Sequence, residues 1–263
     1  MTSRLRRVAA IAVVVAALVC HVAAVAADEI RVATSGAFTA AYLELAAEFE
    51  RRTGHRVVTA ATSMGVGATS IPARLAAGEA IDLVIVAGDA LDRLVADGQV
   101  RAGSRVDLAR SAIGMAVRSG TPKPDISTVD ALTRTLLAAR SIAYSASVSG
   151  TYFSTELVQR LDIADQVLPR SRRIEGERVG AVVARGDAEI GVQQLSELYP
   201  IAGLEVVGPL PPEVQRVTVF AAGIGRAAAT PEAAARLRDF LASGAAVAAI
   251  RRSGLDPVAA VRR

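Results

Sequence analysis

The sequence predicts an α/β protein in two lobes, each a mainly parallel sheet flanked by helices, with two crossover strands between them. Three observations carry this expectation. From residue 29 onward, short apolar runs alternate with amphipathic helical stretches, the order that builds parallel sheets. The run Asp82-Leu83-Val84-Ile85-Val86-Ala87 is nearly all apolar, as a strand covered by helices on both faces must be. Apolar strands near 111–118 and 215–224 bracket a second α/β block, so the chain leaves the first lobe once and returns once. The expected lobes are 27–112 with 218–263, and 113–217.

Residues 1–26 stand outside this scheme and read as a secretory signal peptide. Arg4, Arg6 and Arg7 make a basic start, Val8 to Val19 an apolar run, and Ala24-Val25-Ala26 an A-x-A cleavage site. Ala17-Leu18-Val19 ahead of Cys20 lacks the small residue that lipoprotein processing requires. The expected product is a soluble periplasmic protein, cleaved near Ala26. Cleavage removes three arginines and no acids, so the full-length charge of +4 falls to +1. A nearly neutral chain without a basic run argues against a nucleic-acid partner. Cys20 leaves as well, so no disulfide can form and the fold relies on its core. One histidine, His55, and one lysine, Lys123, then remain. His55 follows Gly54 in a turn and reads as solvated; Lys123, between two prolines, reads as a surface loop. That shortage excludes His/Cys metal sites, cysteine nucleophiles, serine–histidine triads and P-loops.

Along the chain, a first strand with Ile30, Val32 and Thr34 alternating runs through Ser35-Gly36-Ala37 into a helix. Leu43, Leu45, Ala46, Ala47 and Phe49 are its expected buried face, Glu44, Glu48 and Glu50 its wet face, and Gly54 its C-cap. Arg56 to Ala61 forms the second strand, broken by Thr62-Ser63-Met64-Gly65-Val66-Gly67. Thr69 or Ser70 caps a short helix with Pro72 in its first turn, and Asp89 caps the helix after the third strand. Beyond Gly120-Thr121-Pro122-Lys123-Pro124, Ser127 and Asp130 box a helix to about Ala139. Ser141 to Tyr144 is a strand, Ser145 to Thr151 a polar loop, and a helix follows to about Leu161. Arg170 to Arg173 reads as a solvated basic turn. A helix from about Glu177 to Ala184 precedes the strand Ile190 to Gln193. After the returning strand, two helices, the first starting at Thr230-Pro231-Glu232, end near Arg252.

Ligands of open α/β sheets bind beyond the carboxyl ends of strands. Here those ends carry Ser35-Gly36-Ala37, Thr62-Ser63-Met64-Gly65, Ser147-Val148-Ser149-Gly150-Thr151 and Gln193-Gln194, neutral donors spread over both lobes. A strand feeding straight into a helix also points free N–H groups outward, an arrangement suited to anions. The expectation is a cleft that closes on a small anionic ligand, with no metal and no cofactor.

The element order, the exported start and two motifs resemble the molybdate-binding periplasmic proteins of ABC transporters, which are type II periplasmic binding proteins. The motifs are Ala80-Ile81-Asp82-Leu83-Val84-Ile85-Val86-Ala87-Gly88-Asp89 and Gly180-Ala181-Val182-Val183-Ala184-Arg185-Gly186-Asp187-Ala188-Glu189-Ile190-Gly191. The likeness runs from about Glu29 to Leu255 and implies a receptor that hands its ligand to a membrane permease. It also implies a ligand set: Ser35 or Ala37 around Gly36, Ser63 beside Met64, and Ser149-Gly150-Thr151 with Tyr152. Arg178 and, beside Gln193, Gln194 in place of a family tyrosine complete it. An amide at Gln194 accepts as well as donates, which suits a ligand with a donor of its own. Arg178 either presents a planar fork to a carboxylate or is a solvated arginine paired with Glu175 or Glu177. These departures, and a Met64-to-Ser70 segment longer than the family loop, favour a small organic acid over molybdate or tungstate.

The function expected is therefore monomeric solute capture without catalysis. An exported sensor would need the same closing cleft. An enzyme on this fold would have to work with carboxylates such as Glu156 or Glu177.

Overall fold

A computed structural model describes residues 27–61, 64 and 67–258. The signal peptide and Ser63 lie outside the described residues. The strands are β1 (Glu29–Thr34), β2 (Arg56–Ala61), β3 (Leu83–Ala87), β4 (Val106–Arg118), β5 (Ile142–Ser145), β6 (Ser171–Ile174), β7 (Ile190–Gln194), β8 (Leu204–Pro209), β9 (Val217–Ile224) and β10 (Asp256–Pro257). The principal helices are α1 (Thr39–Thr53), α2 (Ile71–Ala76), α3 (Gly88–Ala96), α4 (Val129–Ala138), α5 (Val148–Tyr152), α6 (Val179–Arg185), α7 (Leu195–Leu198), α8 (Pro231–Leu241) and α9 (Val247–Arg252). After α5 the helix widens into a π turn at Phe153–Leu157.

One hydrogen-bonded path runs β2-β1-β3-β9-β4-β7-β5-β6, with β8 and β10 paired to β4. Pairing is parallel within β2-β1-β3 and within β7-β5-β6, and antiparallel across β9 and β4. β4 joins the two groups: its Val106–Ala112 stretch pairs with β9 and its Ile113–Val117 stretch with β7. Two main cores follow. One contains Phe38, Leu45, Ile85 and Phe220, the other Ile113, Leu132, Phe153 and Val192.

The buried run at 82–87 is anchored by its acid. Asp82 is fully buried; one carboxylate oxygen accepts from the Arg31 N–H and the other from the Thr230 N–H, both at 2.8 Å. It thereby ties β1, β3 and the start of α8 together. Gly225 permits this closeness, since a Cβ there would lie 1.9 Å from the Ile81 carbonyl oxygen.

Several local expectations need correcting. In α1 the core face is Ala41, Tyr42, Leu45, Ala46 and Phe49, whereas Leu43 is 54% exposed and Ala47 is exposed. Tyr42 takes the inward position one residue earlier, its hydroxyl 2.9 Å from Thr59 Oγ1. Gly54 does cap the helix, at φ +77°, with its N–H on the Glu50 carbonyl. His55 is buried rather than solvated: Nδ1 accepts from the Asp28 N–H at 3.1 Å and the ring stacks on Phe49. Asp89 lies inside the first turn of α3 and caps nothing by its side chain. Thr128, not Ser127, caps α4 by accepting from the Ala131 N–H. The arginine cluster is the edge strand β6, with Arg172 and Arg173 exposed and Ile174 buried.

Candidate functional site

The carboxyl ends of β1, β5 and β7 come together where the two cores meet. α7, which follows β7 directly, packs on the Gly36–Phe38 turn that follows β1. Val148, at the start of the helix after β5, packs against the first core although its strand belongs to the other group. This seam is the candidate site.

The predicted donors divide once their neighbours are known. Ser35 is buried, and its N–H already reaches the Ile85 carbonyl at 3.0 Å. Gly36 adopts φ +66° beneath the Phe220 ring, and Ala37 is buried. Met64 is partly buried against the first core. Past β5, Ser145 Oγ lies 2.9 Å from Ser147 Oγ and 3.0 Å from Ser149 Oγ, a linked set of hydroxyls with Ser149 fully buried. Gly150 is obligatory there, because a Cβ would stand 1.7 Å from the Ser145 carbonyl oxygen. Thr151 is exposed and its N–H bonds the Ser147 carbonyl. Tyr152 is buried and its hydroxyl donates to the Val214 carbonyl at 2.6 Å, while the Arg216 guanidinium lies over its ring.

The two glutamines of β7 face different surroundings, as strand alternation requires. Gln194 sits between the crossover strands. With its amide oriented to satisfy both ends, Nε2 donates to Ser111 Oγ at 2.8 Å and the oxygen accepts from Thr218 Oγ1 at 3.1 Å. Gln193 is equally buried, but its Oε1 has no hydrogen-bond partner.

Of the two readings of Arg178, pairing with a neighbouring acid is ruled out. Glu175 pairs with Arg173 and Glu177 with Arg185, and Arg178 makes no ion pair among the described residues. It stands exposed immediately before α6. Its charge reaches one carboxylate, Glu197 on α7. Burial pushes the Glu197 carboxyl up to about 7, with the Arg178 charge and then the Gln193 amide pulling it down. Its Oε2 is sealed from solvent without a hydrogen-bond partner. Glu197 escaped sequence reading; the available signal was its position three residues past the end of β7. The carboxylates considered instead are poor choices for proton work. Glu156 is exposed and paired with Arg216. Glu177 is exposed, and Arg185 holds it below the usual carboxylate range. Among the described residues, no helix is long and apolar enough to cross a membrane, and no three acidic, histidine or cysteine side chains gather as a metal site.

Residues 30–256 match the family described as bacterial extracellular solute-binding protein. An aconitate isomerase from Pseudomonas sp. is 46% identical over 230 residues, covering 87% of this chain and 88% of that protein. Among solved structures, the Azotobacter vinelandii periplasmic molybdate-binding protein has a TM-score of 0.64 at 21% identity, over 86% of this chain and 98% of that one. The sulfate-binding protein of Mycobacterium tuberculosis has a TM-score of 0.67 at 15% identity, over 88% and 87%. These structures share the type II periplasmic-binding fold expected from the sequence. The isomerase overturns the expectation that the chain is not an enzyme. That expectation counted missing histidine, cysteine and lysine, but a carboxylate in dry surroundings can itself serve as an acid or base near neutral pH.

Proposed function

This chain belongs to the bacterial extracellular solute-binding protein family, and within it we propose an enzyme: an extracytoplasmic isomerase that interconverts the cis and trans forms of aconitate, an unsaturated tricarboxylate. The observation that carries this reading is the 46% identity, over 87% of the chain, to a protein named for that activity. The geometry agrees with a carboxylate ligand better than with a bare oxyanion. Arg178 holds no ion pair among the described residues, and its planar fork fits a carboxylate through two parallel hydrogen bonds. The Ser145–Ser149 hydroxyl set across the seam supplies neutral donors. In this reading residues 27–112 with 218–263 form one lobe and 113–217 the other, and a monomer closes them on the ligand after the signal peptide is removed near Ala26.

The test is direct. Purified protein is incubated with trans-aconitate, the cis isomer is followed by chromatography, and melting is measured with tricarboxylates, molybdate and sulfate. Catalytic appearance of the cis isomer, with stabilisation by tricarboxylates, is expected; at a hundred times its dissociation constant a ligand adds about 2.7 kcal/mol. Stabilisation by molybdate without isomerisation would refute the reading. Delivery of the same anion to an ABC permease is a second role, favoured by family membership and by the molybdate- and sulfate-binding neighbours. Uptake of labelled aconitate, lost when the gene is deleted and restored by the chain, tests it.

A further inference from the structure

A half-buried carboxylate at the seam has one oxygen that nothing in the fold engages. Glu197 lies on α7, where that helix packs on the Gly36–Phe38 turn from the other core. Its Oε2 is sealed and unpartnered, and Gln193 Oε1, near the end of strand β7, is sealed and unpartnered too. A buried acceptor without a donor costs stability, so neither atom is explained by holding the fold together. Asp82, by contrast, engages both of its oxygens with backbone N–H groups. Arg178, which makes no ion pair among the described residues, is the charge felt at Glu197. An acceptor that can take a proton and a cation that can grip an anion thus share one end of β7.

Resting on the isomerase reading above, we propose that Glu197 is the acid–base residue of the reaction, removing and then returning the migrating proton. Aconitate carries a methylene between a carboxylate and its carbon–carbon double bond. The Glu197 carboxylate takes one methylene proton, and the C–H electron pair spreads over the three carbons and into the flanking carboxylates. The double bond moves to the former methylene carbon, and how that arm is held as the proton leaves sets whether the new bond is cis or trans. The same oxygen then returns the proton to the carbon that was vinylic. One C–H bond breaks, one forms, and the formula is unchanged, so no oxidant or co-reactant enters. Arg178 grips a carboxylate on which charge accumulates, where a fixed cation is most effective.

The protonation state suits this role. A group that alternately takes and gives a proton works best with a pKa near the operating pH, and burial brings Glu197 to about 7. Its surroundings contain little else that would set this value. The elements packed on α7 are β4, β7, β8, α6 and the Gly36–Phe38 turn. Of the charged residues these carry, Glu205 is paired with Lys123, Asp107 with Arg105 and Arg185 with Glu177; Arg110 and Arg118 do not bear on Glu197, and Arg178 at the head of α6 does.

Wild-type protein and the variants Glu197→Gln and Glu197→Asp are compared for turnover of trans-aconitate and for binding of tricarballylate, the saturated analogue that cannot isomerise. Glu197→Gln is expected to lower kcat by about a thousandfold, within the range for loss of a general base, while tricarballylate still binds. Wild-type kcat/KM is expected to rise about tenfold per pH unit up to about pH 7 and then level, since the free carboxylate is the reactive form. Turnover that survives Glu197→Gln, a flat profile across pH 7, or joint loss of turnover and analogue binding in both variants would overturn the assignment. If Glu197→Gln does not fold, the wild-type profile and Glu197→Asp decide. Absence of any wild-type turnover would instead refute the isomerase reading itself, so the two failures are distinct.

Discussion

Replacing Arg178 by glutamine separates ligand binding from folding. The side chain is exposed and holds no ion pair among the described residues, so its loss removes no native contact of that kind. Unliganded stability should change by no more than about 0.5 kcal/mol, the usual range for such surface positions. Binding should change much more. A forked pair of charge-assisted hydrogen bonds to a carboxylate is worth about 2–4 kcal/mol, which predicts about 30- to 1,000-fold weaker affinity. Titration calorimetry with tricarballylate measures this without interference from turnover. A second readout follows from the position of Glu197. Arg178 pulls that carboxyl down, so removing it should move the acid limb of the kcat/KM profile to higher pH. Equal affinity in both proteins would refute the placement of Arg178 against the ligand. A large fall in the unliganded melting temperature would show that the arginine has a structural duty the geometry does not reveal.

Gly150→Ala should disable the loop after β5, because the added methyl would stand 1.7 Å from the Ser145 carbonyl oxygen; tricarballylate binding and melting temperature should both fall, and unchanged values would refute the tight helix–strand approach. Glu197 should make the protein less stable as pH rises. Its folded pKa of about 7 lies above the ordinary 4.5, so its contribution is greatest below 4.5 and declines toward pH 7 by about 3 kcal/mol. Glu197→Gln should therefore gain melting temperature over wild type between pH 5 and pH 8, and parallel curves would show that the carboxyl is not desolvated.

The sequence was most legible where one residue's environment is set by near neighbours. The apolar run 83–87, the glycine ending α1 and the serine capping α2 each act within a few residues, and each sits where expected. β4 begins at Val106, earlier than its apolar stretch at 111–118 indicated. What could not be read depends on distant partners. His55 looks like a turn residue until Asp28 and Phe49 enclose it. The arginines of β6 hide a strand because an edge position wets them while Ile174 alone faces inward. Gln194 was expected in the cleft, yet Ser111 and Thr218 from the two crossovers claim its amide. Glu197 is the strongest case. A glutamate in a one-turn helix reads as surface, and one of its oxygens is sealed only once that helix is packed among elements distant in sequence.

That last case explains why counting residue types misjudged the chemistry. The chain has almost no side chains already reactive at neutral pH, with two histidines and one cysteine in its full length. A carboxylate becomes a neutral-pH base through its surroundings, by exclusion of water and by the balance between burial and one nearby cation. Closure on an anion supplies both conditions at once on the proposed reading: it dries the seam, and the charge that grips the ligand also tunes the acid beside it. On the proposed reading, binding and catalysis then differ by little more than one glutamate placed where closure can seal it. A solute-binding frame thus needs no added domain or cofactor to act on an acid whose own double bond activates the proton to be moved.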